Sequence, residues 1–408
     1  MDKIVIKNFL SDRRTMFGLW FFIGLISALT KLQPTRHNNF NIFRYVFYNT
    51  WNQTSLYAES TDGGYGDINH YGPIFSIIIA PFAVIPTWLG LILWNTCLAV
   101  FLYWAISRIS SLKTTTTSFQ PYLHLLLVYF CAHELLTALF MQQFNIAIAA
   151  IILLSFYFVE KERDEYATFL IVVGTFVKLY GIVGLAFFFF SKHKIRYITS
   201  LAIWSILLFC LPMIISSPEY QIQQYQEWFT CLTEKNANNI LAGAQNISFM
   251  GMITKIIYGL SGGKIIHDAS WIILPAMILM AIGYFRINQW KSPMFRMQIL
   301  AAVMMFVVLF STGSESSGYI TPFVGICIWF CCVPWQRTHW DIALMVFAFI
   351  ITSMSPSDLF PAYIRKEWIQ PYALKALPIT IIWFKLAYEI ICKSYITNTT
   401  MPHDTTKF

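Results

Sequence analysis

Apolar stretches of membrane-spanning length recur along most of this 408-residue chain, and they constrain its fold more than any other feature. Hydrophobic residues make up 57% of the sequence and charged residues only 12%, whereas a soluble protein carries roughly 25% charged residues. Runs of this length and composition predict transmembrane helices. We therefore predict an all-α polytopic membrane protein, with residues 1–408 forming one integral membrane domain and no separate soluble domain.

The apolar runs predict a bundle of about 10–12 transmembrane helices. Two segments are ambiguous: residues 166–191 are too long for one span and too short for two full ones, and residues 72–86 end at a proline after a short run. The ten clearer candidates are residues 17–32, 87–106, 121–140, 144–159, 196–216, 269–286, 296–312, 318–334, 339–354 and 373–392.

The net charge of +8 indicates membrane topology rather than a nucleic-acid partner, because the basic residues lie in short clusters between apolar runs. Placing all of those clusters in the cytoplasm makes residues 166–191 a hairpin of two short helices. Residues 72–86 then dip into the outer leaflet without crossing. The result is twelve crossings, with both termini on the cytoplasmic side of a bacterial-type inner membrane. If residues 72–86 do cross, the loops downstream invert.

In this topology the outer face receives nearly every unusual polar residue of the chain. The first outer loop covers residues 33–86 and the long outer loop covers residues 217–268. Polar groups near membrane depth are costly and usually mark a site or a pathway. The remaining outer segments are the tip at Gln142 to Asn145, the hairpin turn near Lys178, the loop from Gly313 to Gly318, and residues 355–372.

The stretch GDINHYGP in the first outer loop supplies the first candidate for chemistry. Asp67 lies next to the membrane surface, where the dielectric constant falls and a carboxylate can act as a general base. The alternative is structural, since aspartate and asparagine also cap helices and form turns, and that reading applies to Asp67 and Asn69 alike.

Other polar residues on the same side each allow a functional and a structural interpretation. Glu134 lies about 9 Å below the outer end of its helix at roughly 1.5 Å per residue, where it needs a partner such as His133 or a distant lysine. Lys178 could hold a phosphate as a point charge or extend to lipid headgroups. Gln143 and Asn145 occupy a tight turn, and Glu315 lies in a loop whose serine and glycine content also fits a plain turn.

No spacing of histidine, cysteine or acidic residues typical of a metal site is present, and no nucleotide-binding fingerprint appears. We therefore predict no cofactor, and the use of a divalent cation is left open.

The order of the outer-face motifs resembles glycosyltransferase family 87, a branch of the GT-C superfamily of polyprenyl-phosphate-sugar-dependent membrane enzymes. The resemblance covers roughly residues 15–335. The motifs are Leu56-Tyr57, Tyr71-Gly72-Pro73-Ile74-Phe75, the pair Pro81 and Pro86, Leu93-Trp94-Asn95, Gln143 and Asn145, Lys178-Leu179-Tyr180, Asn246 with Ser248, and the Ser-Glu-Ser element near Ser314.

The resemblance implies a GT-C-like fold and transfer of a mannosyl-like hexose or pentose from a polyprenyl-phosphate donor to a glycan or glycolipid acceptor. The site would lie on the non-cytoplasmic face, the donor would enter from the lipid bilayer, and nucleic acid would play no part. Asp67 would be the base and Lys178 a phosphate contact. The other implied donor- or acceptor-binding residues are Asn69, His70, Tyr71, Glu134, Gln143, Asn145, Tyr180, Asn246, Ser248 and Glu315.

One departure from the family pattern concerns the base. Family members often carry an acidic residue just after the first helix, and the matching pair here is Asn39-Phe40, which cannot accept a proton. Asp67 is then the best replacement, followed by Glu134 and Glu315. The alternatives are a changed acceptor, a catalytically inactive homologue, a transporter or lipid-linked-sugar flippase, and a polymerase or ligase of surface polysaccharide.

Overall fold

A computed structural model describes residues 8–59, 67–112 and 120–396, and the secondary structure in this part of the chain is helical, with no strand. The α-helices are α1 (Arg13–Leu29), α2 (Asn38–Asn52), α3 (Phe75–Ala83), α4 (Thr87–Ser110), α5 (Leu123–Phe130), α6 (Ala132–Phe140), α7 (Asn145–Glu160), α8 (Asp164–Val177), α9 (Lys194–Cys210), α10 (Pro218–Asn238), α11 (Phe249–Leu260), α12 (Ile273–Tyr284), α13 (Pro293–Leu309), α14 (Ile320–Cys331), α15 (His339–Phe347), α16 (Ala362–Ile364) and α17 (Leu377–Cys392).

The predicted all-α membrane fold is confirmed, and each of the ten clearer apolar segments contains a helix. Within the described ranges, three helices are long and apolar enough to span a membrane by themselves: Thr87–Ser110, Leu123–Phe140 and Lys194–Ile214. Seven further apolar helices have 10–17 residues. The chain is thus an integral membrane protein whose bundle combines full-length and short helices.

Residues 166–191 form a hairpin whose two halves are helices of different kinds. Helix α8 has 14 residues and rises about 21 Å at 1.5 Å per residue. The returning helix, Leu179–Phe190, is a 3₁₀ helix of 12 residues, which rises about 24 Å at roughly 2.0 Å per residue. The two halves touch through glycine, since a Cβ on Gly181 would lie 2.3 Å from the carbonyl carbon of Gly174.

Residues 72–86 contain only the nine-residue helix α3, which rises about 14 Å and is much shorter than a bilayer core of roughly 30 Å. Its end is tied to α2 by Arg44, whose Nη2 donates to the Ala83 carbonyl oxygen at 3.0 Å and whose Nη1 donates to Thr87 Oγ1 at 2.5 Å. Helix α4 then starts directly after Pro86. Helix α3 is therefore too short to span a bilayer by itself.

Three longer helices lie in the first and long outer loops, outside the helices that the sequence analysis assigned: α2, α10 and α11. Two of them begin at serine caps. Ser217 Oγ accepts a hydrogen bond from the Tyr220 amide and is followed by Pro218, and Ser248 Oγ accepts one from the Gly251 amide. Serine before a helix, with proline at its first position, is a recognised start signal, so these two helices were detectable.

The basic clusters gather at one end of the bundle, away from the tips predicted to face outward. Helix α7 runs from Asn145 at one end to Glu160 at the other, where Glu160 Oε1 accepts from Arg296 Nε at 2.6 Å. Nearby helix ends carry similar pairs, such as Arg337 with Glu389 at 3.1 Å and Lys192 with Glu162 at 2.6 Å. The chain therefore has one basic end and, at the other end, the cluster of candidate polar residues.

Candidate active site

A cavity of about 730 Å³ lies at the end of the bundle that carries the candidate residues. Its volume is within the usual range for small-molecule sites of roughly 300–1,000 Å³. The walls come from the first and long outer loops, the tip before α7, the hairpin turn and the loop after α13. Eight predicted site residues line this cavity: Asp67, Asn69, His70, Tyr71, Gln143, Lys178, Tyr180 and Glu315.

Lys178 lies in the turn of the hairpin and contributes an ammonium group to the lining of the cavity. Its Nζ donates to Asn145 Oδ1 at 2.7 Å and lies 4.8 Å from the centre of the Tyr180 ring. Burial lowers the pKa of Lys178 from its ordinary value to about 8. At neutral pH the group is therefore still mostly cationic and can hold an anion.

A chain of hydrogen bonds connects Lys178 to Glu315. Asn145 Nδ2 donates to Gln143 Oε1 and to Ser317 Oγ, both at 3.0 Å, and Gln143 Nε2 donates to Glu315 Oε2 at 2.7 Å. Asn145 therefore lies behind the cavity wall and orients the groups that line it. Because its amide satisfies three partners, replacement by a side chain without both donor and acceptor would disturb Lys178 and Gln143 together.

Glu315 is compensated by two cations. Lys235 Nζ, on α10, lies 3.8 Å from Glu315 Oε1, and the charge of Lys178 also acts on the carboxylate. Burial by itself raises the pKa of Glu315, but the two lysines and the amides of Gln245 and Gln143 outweigh it, so the pKa lies below its ordinary value. Glu315 is thus held as a structural anion, which makes it a poor proton acceptor.

Asp67 differs from Glu315 because its side chain is exposed to the cavity opening. Its Oδ1 accepts a hydrogen bond from the neighbouring Ile68 amide at 2.8 Å. Within the described ranges, no lysine or arginine pairs with Asp67. Among the described residues, the second carboxylate oxygen has no hydrogen-bond partner, which is compatible with a general base.

The neighbours of Asp67 serve mainly to shape its loop. Asn69 uses its amide within the loop, where Oδ1 accepts from the Tyr71 amide at 2.9 Å and Nδ2 donates to the Tyr71 carbonyl at 2.8 Å. His70 Nδ1 lies 3.3 Å from Cys231 Sγ. Burial and the nearby Lys235 lower the pKa of His70 to about 4, so the imidazole is neutral at pH 7.

The loop is pinned to the hairpin turn through the next two residues. Tyr71 packs against Phe43 and Phe75 with ring centres 5.0 and 4.9 Å apart, and its hydroxyl accepts from the Phe144 amide at 3.1 Å. The Gly72 amide donates to the Val177 carbonyl at 3.0 Å. A Cβ on Gly72 would lie 2.0 Å from the Phe176 carbonyl oxygen, so this approach requires glycine.

Besides Asn145, three candidate residues lie outside the cavity lining: Glu134, Asn246 and Ser248. Glu134 is fully buried in α6, where its Oε2 pairs with Lys375 Nζ at 3.2 Å. The same ammonium group donates to Ser316 Oγ at 2.9 Å, so the pair supports the loop that carries Glu315. Asn246 Oδ1 accepts from Ser248 Oγ at 2.7 Å beside the start of α11, an arrangement that caps this helix.

The cavity also contains residues that the sequence did not single out. Lys235 is the second cation, and Trp228 donates from Nε1 to the His70 carbonyl oxygen at 2.9 Å. Both belong to α10. Asn39, which the sequence analysis had already noted, also lines the cavity and donates from Nδ2 to the Met141 carbonyl oxygen at 2.8 Å. Among the residues that the structure describes, no group of three or more histidine, cysteine or acidic side chains is placed to hold a metal ion.

Fold and site together define a class: a helical integral membrane protein with a polar cavity, bearing cations and carboxylates, at one end of its bundle. The sequence model of glycosyltransferase family 87 matches residues 69–312, more than half of the chain. The chain therefore belongs to glycosyltransferase family 87, and it is a membrane glycosyltransferase by family. Among curated proteins, none matches this sequence.

Proposed function

We propose that this protein transfers a mannosyl-like hexose or pentose from a polyprenyl-phosphate donor to a glycan or glycolipid acceptor, by a GT-C-type reaction on the non-cytoplasmic face of a bacterial-type inner membrane. The observation that supports this most directly is the shared cavity, which is lined by Asp67 and Lys178 together. A sugar transfer needs a base for the acceptor hydroxyl and a positive charge for the departing phosphate.

In the proposed mechanism, Asp67 accepts the proton of the acceptor hydroxyl as that oxygen attacks the anomeric carbon. The bond between the anomeric carbon and the phosphate oxygen breaks, and the polyprenyl phosphate leaves with the bonding electrons. Lys178, held by Asn145 at 2.7 Å, stabilises the charge that develops on this phosphate. The sugar is oriented by Gln143, Tyr71 and Tyr180. An indirect role, the positioning of the side chains and loops that they contact, falls to Asn69, Asn145 and Glu315.

The experiment that tests this proposal compares Asp67→Asn with Glu234→Gln in reconstituted full-length protein supplied with polyprenyl-phosphate sugars. Both acids line the cavity, and both substitutions remove one charge. We expect Asp67→Asn to lower the turnover number by about 10²–10⁴-fold, the usual contribution of a general base, while Glu234→Gln stays near the parent. Unchanged turnover in Asp67→Asn would eliminate Asp67 as the base.

The competing readings give different results in the same assay. A transporter or flippase would move a lipid-linked sugar across the vesicle membrane without releasing polyprenyl phosphate. An inactive homologue would bind the donor and leave it intact. A surface-polysaccharide polymerase or ligase would transfer a whole glycan chain instead of one sugar. Release of polyprenyl phosphate together with a one-sugar product therefore separates the proposed transferase from all of these.

A further inference from the structure

A second cavity, of about 270 Å³, lies beside the reaction cavity between α11 and the segment before α17. Lys255 lies in its wall with only 5% of its surface exposed. The other lining residues with polar side chains are Tyr258, Tyr372 and Gln370. None of these residues lines the reaction cavity, so the proposed transferase mechanism does not use them.

Lys255 is a buried ammonium group whose charge is not balanced by the described residues. Its Nζ donates to the backbone carbonyl oxygen of Gln245 at 2.9 Å, and no described carboxylate pairs with it. Burial lowers the pKa of Lys255 to about 8, which leaves most of the population charged at neutral pH. A buried cation without a partner is costly. One hydrogen bond to a neutral carbonyl leaves two N–H donors available to an incoming anion.

The surroundings of this cavity indicate a ligand that comes from the bilayer. Leu260 is 83% exposed next to Gly259 of the lining, and Trp368, 54% exposed, packs against Tyr372 with ring centres 6.3 Å apart. Exposed tryptophan and tyrosine beside a lysine are typical of the membrane interface, where they face lipid headgroups. Basic pockets between membrane helices can bind anionic lipid headgroups.

We propose that the second cavity binds the phosphate of a lipid headgroup, held by the Lys255 ammonium and the hydroxyls of Tyr258 and Tyr372. The phosphate accepts the two unused N–H bonds of Lys255, and the acyl chains lie against the exposed apolar surface beside Leu260. The link from Lys255 to the Gln245 carbonyl matters for the neighbouring cavity, because Gln245 lines it and its side chain acts on Glu315. This site does not depend on the proposed sugar transfer.

The test is a thermal-unfolding measurement on the purified full-length protein in detergent, with three probes added separately: phosphatidylglycerol, an uncharged glucosyl diacylglycerol and inorganic phosphate. Lys255→Met removes the charge, and Lys264→Met is its control, because Lys264 is an exposed lysine of the same loop. We expect phosphatidylglycerol to raise the Tm of the parent and of Lys264→Met by several degrees. The Tm of Lys255→Met should not respond, and the glucosyl lipid should have no effect.

The inorganic phosphate probe distinguishes the two sources of the ligand chemistry. A rise in Tm that inorganic phosphate produces alone, and that requires Lys255, supports the phosphate site and assigns it to a soluble phosphate. Equal responses of the parent and Lys255→Met to every probe would overturn the proposal. If Lys255→Met does not fold, Tyr372→Phe decides: it keeps the lysine and should respond more weakly than the parent, and an unchanged response would contradict the proposal.

Discussion

At the scale of single residues, the site assigns different roles to chemically similar side chains. Glu315 and Asp67 are both carboxylates in one cavity, but Glu315 is compensated by Lys178 and Lys235, whereas the described contacts of Asp67 leave one oxygen available. Lys178 also differs from an ordinary lysine, because burial lowers its pKa to about 8, within the pH range in which activity can be measured. The sequence identified these residues by type, but their difference depends on neighbours that lie far apart along the chain.

The lowered pKa of Lys178 predicts a specific pH dependence. A lysine is cationic below its pKa, so the proposed phosphate contact is present at neutral pH and is lost as the pH rises through about 8. We expect kcat/KM of the parent to fall over that interval. Lys178→Arg should keep its charge and shift the decline to higher pH, when kcat/KM is measured from pH 6 to 10.

Lys235→Arg is the matched control for this profile. Lys235 also borders the cavity but contacts Glu315, so its substitution should leave the alkaline decline of the parent in place. If kcat/KM of Lys178→Arg and of the parent fell over the same pH interval, the fall at high pH would have to come from the titration of another group.

At the scale of secondary-structure elements, the sequence predicted the helices that are apolar enough to lie in a membrane. Apolar runs such as residues 87–106 and 144–159 identify helices because their length and hydropathy are visible without any partner. Helix α2 was missed because it is amphipathic and buries only one face through Phe40, Phe43 and Val46. The 3₁₀ geometry of Leu179–Phe190 depends on close packing against α8, which no local pattern encodes.

The sequence identified some site residues and missed others for the same reason, namely whether the signal is local or depends on packing. Motif residues such as Asp67, Gln143 and Lys178 stand out at the ends of apolar runs, and all three line the cavity. Lys235 was missed because it lies at the end of a polar helix with no special spacing, and only the packing of α10 brings it near Glu315.

The junction between the first outer loop and the hairpin turn gives a prediction about stability. Gly72→Ala places a Cβ against the Phe176 carbonyl and the Trp228 ring and strains the hydrogen bond from the Gly72 amide to Val177. We expect a loss of about 1–3 kcal/mol in the free energy of unfolding, the usual cost of overpacking. The measurement is thermal or denaturant unfolding in detergent.

Gly18→Ala is the control for this substitution. Gly18 lies within α1 and a Cβ there meets no atom within 4 Å, so alanine should be neutral or stabilising through its higher helix propensity. Comparable losses in Gly72→Ala and Gly18→Ala would contradict the steric account.

At the scale of the whole molecule, the separation of a basic end from the cavity end predicts the orientation in the membrane. By the positive-inside rule, we expect the basic end to face the cytoplasm. We expect a membrane-impermeant maleimide to label Ala237→Cys, near the cavity, in intact spheroplasts. Ser394→Cys, near the basic end, should react only after permeabilisation. Both positions are exposed.

The background for this labelling must lack the exposed native cysteines Cys97, Cys210 and Cys392. Replacing all eight native cysteines by serine or alanine gives the cleanest comparison, because none of them forms a disulfide. The reverse labelling pattern would invert the topology and place the cavity in the cytoplasm.

The hairpin of α8 and Leu179–Phe190 has a consequence for the surrounding lipid. Its two helices rise only about 21 and 24 Å by their lengths of 14 and 12 residues, several ångströms less than the hydrocarbon core of an average bilayer. Within a membrane, a hairpin this short favours local thinning of the bilayer around it. In the proposed reaction, a local thinning of that kind would bring the leaflet surface closer to Lys178 and shorten the path of the lipid-linked phosphate to it.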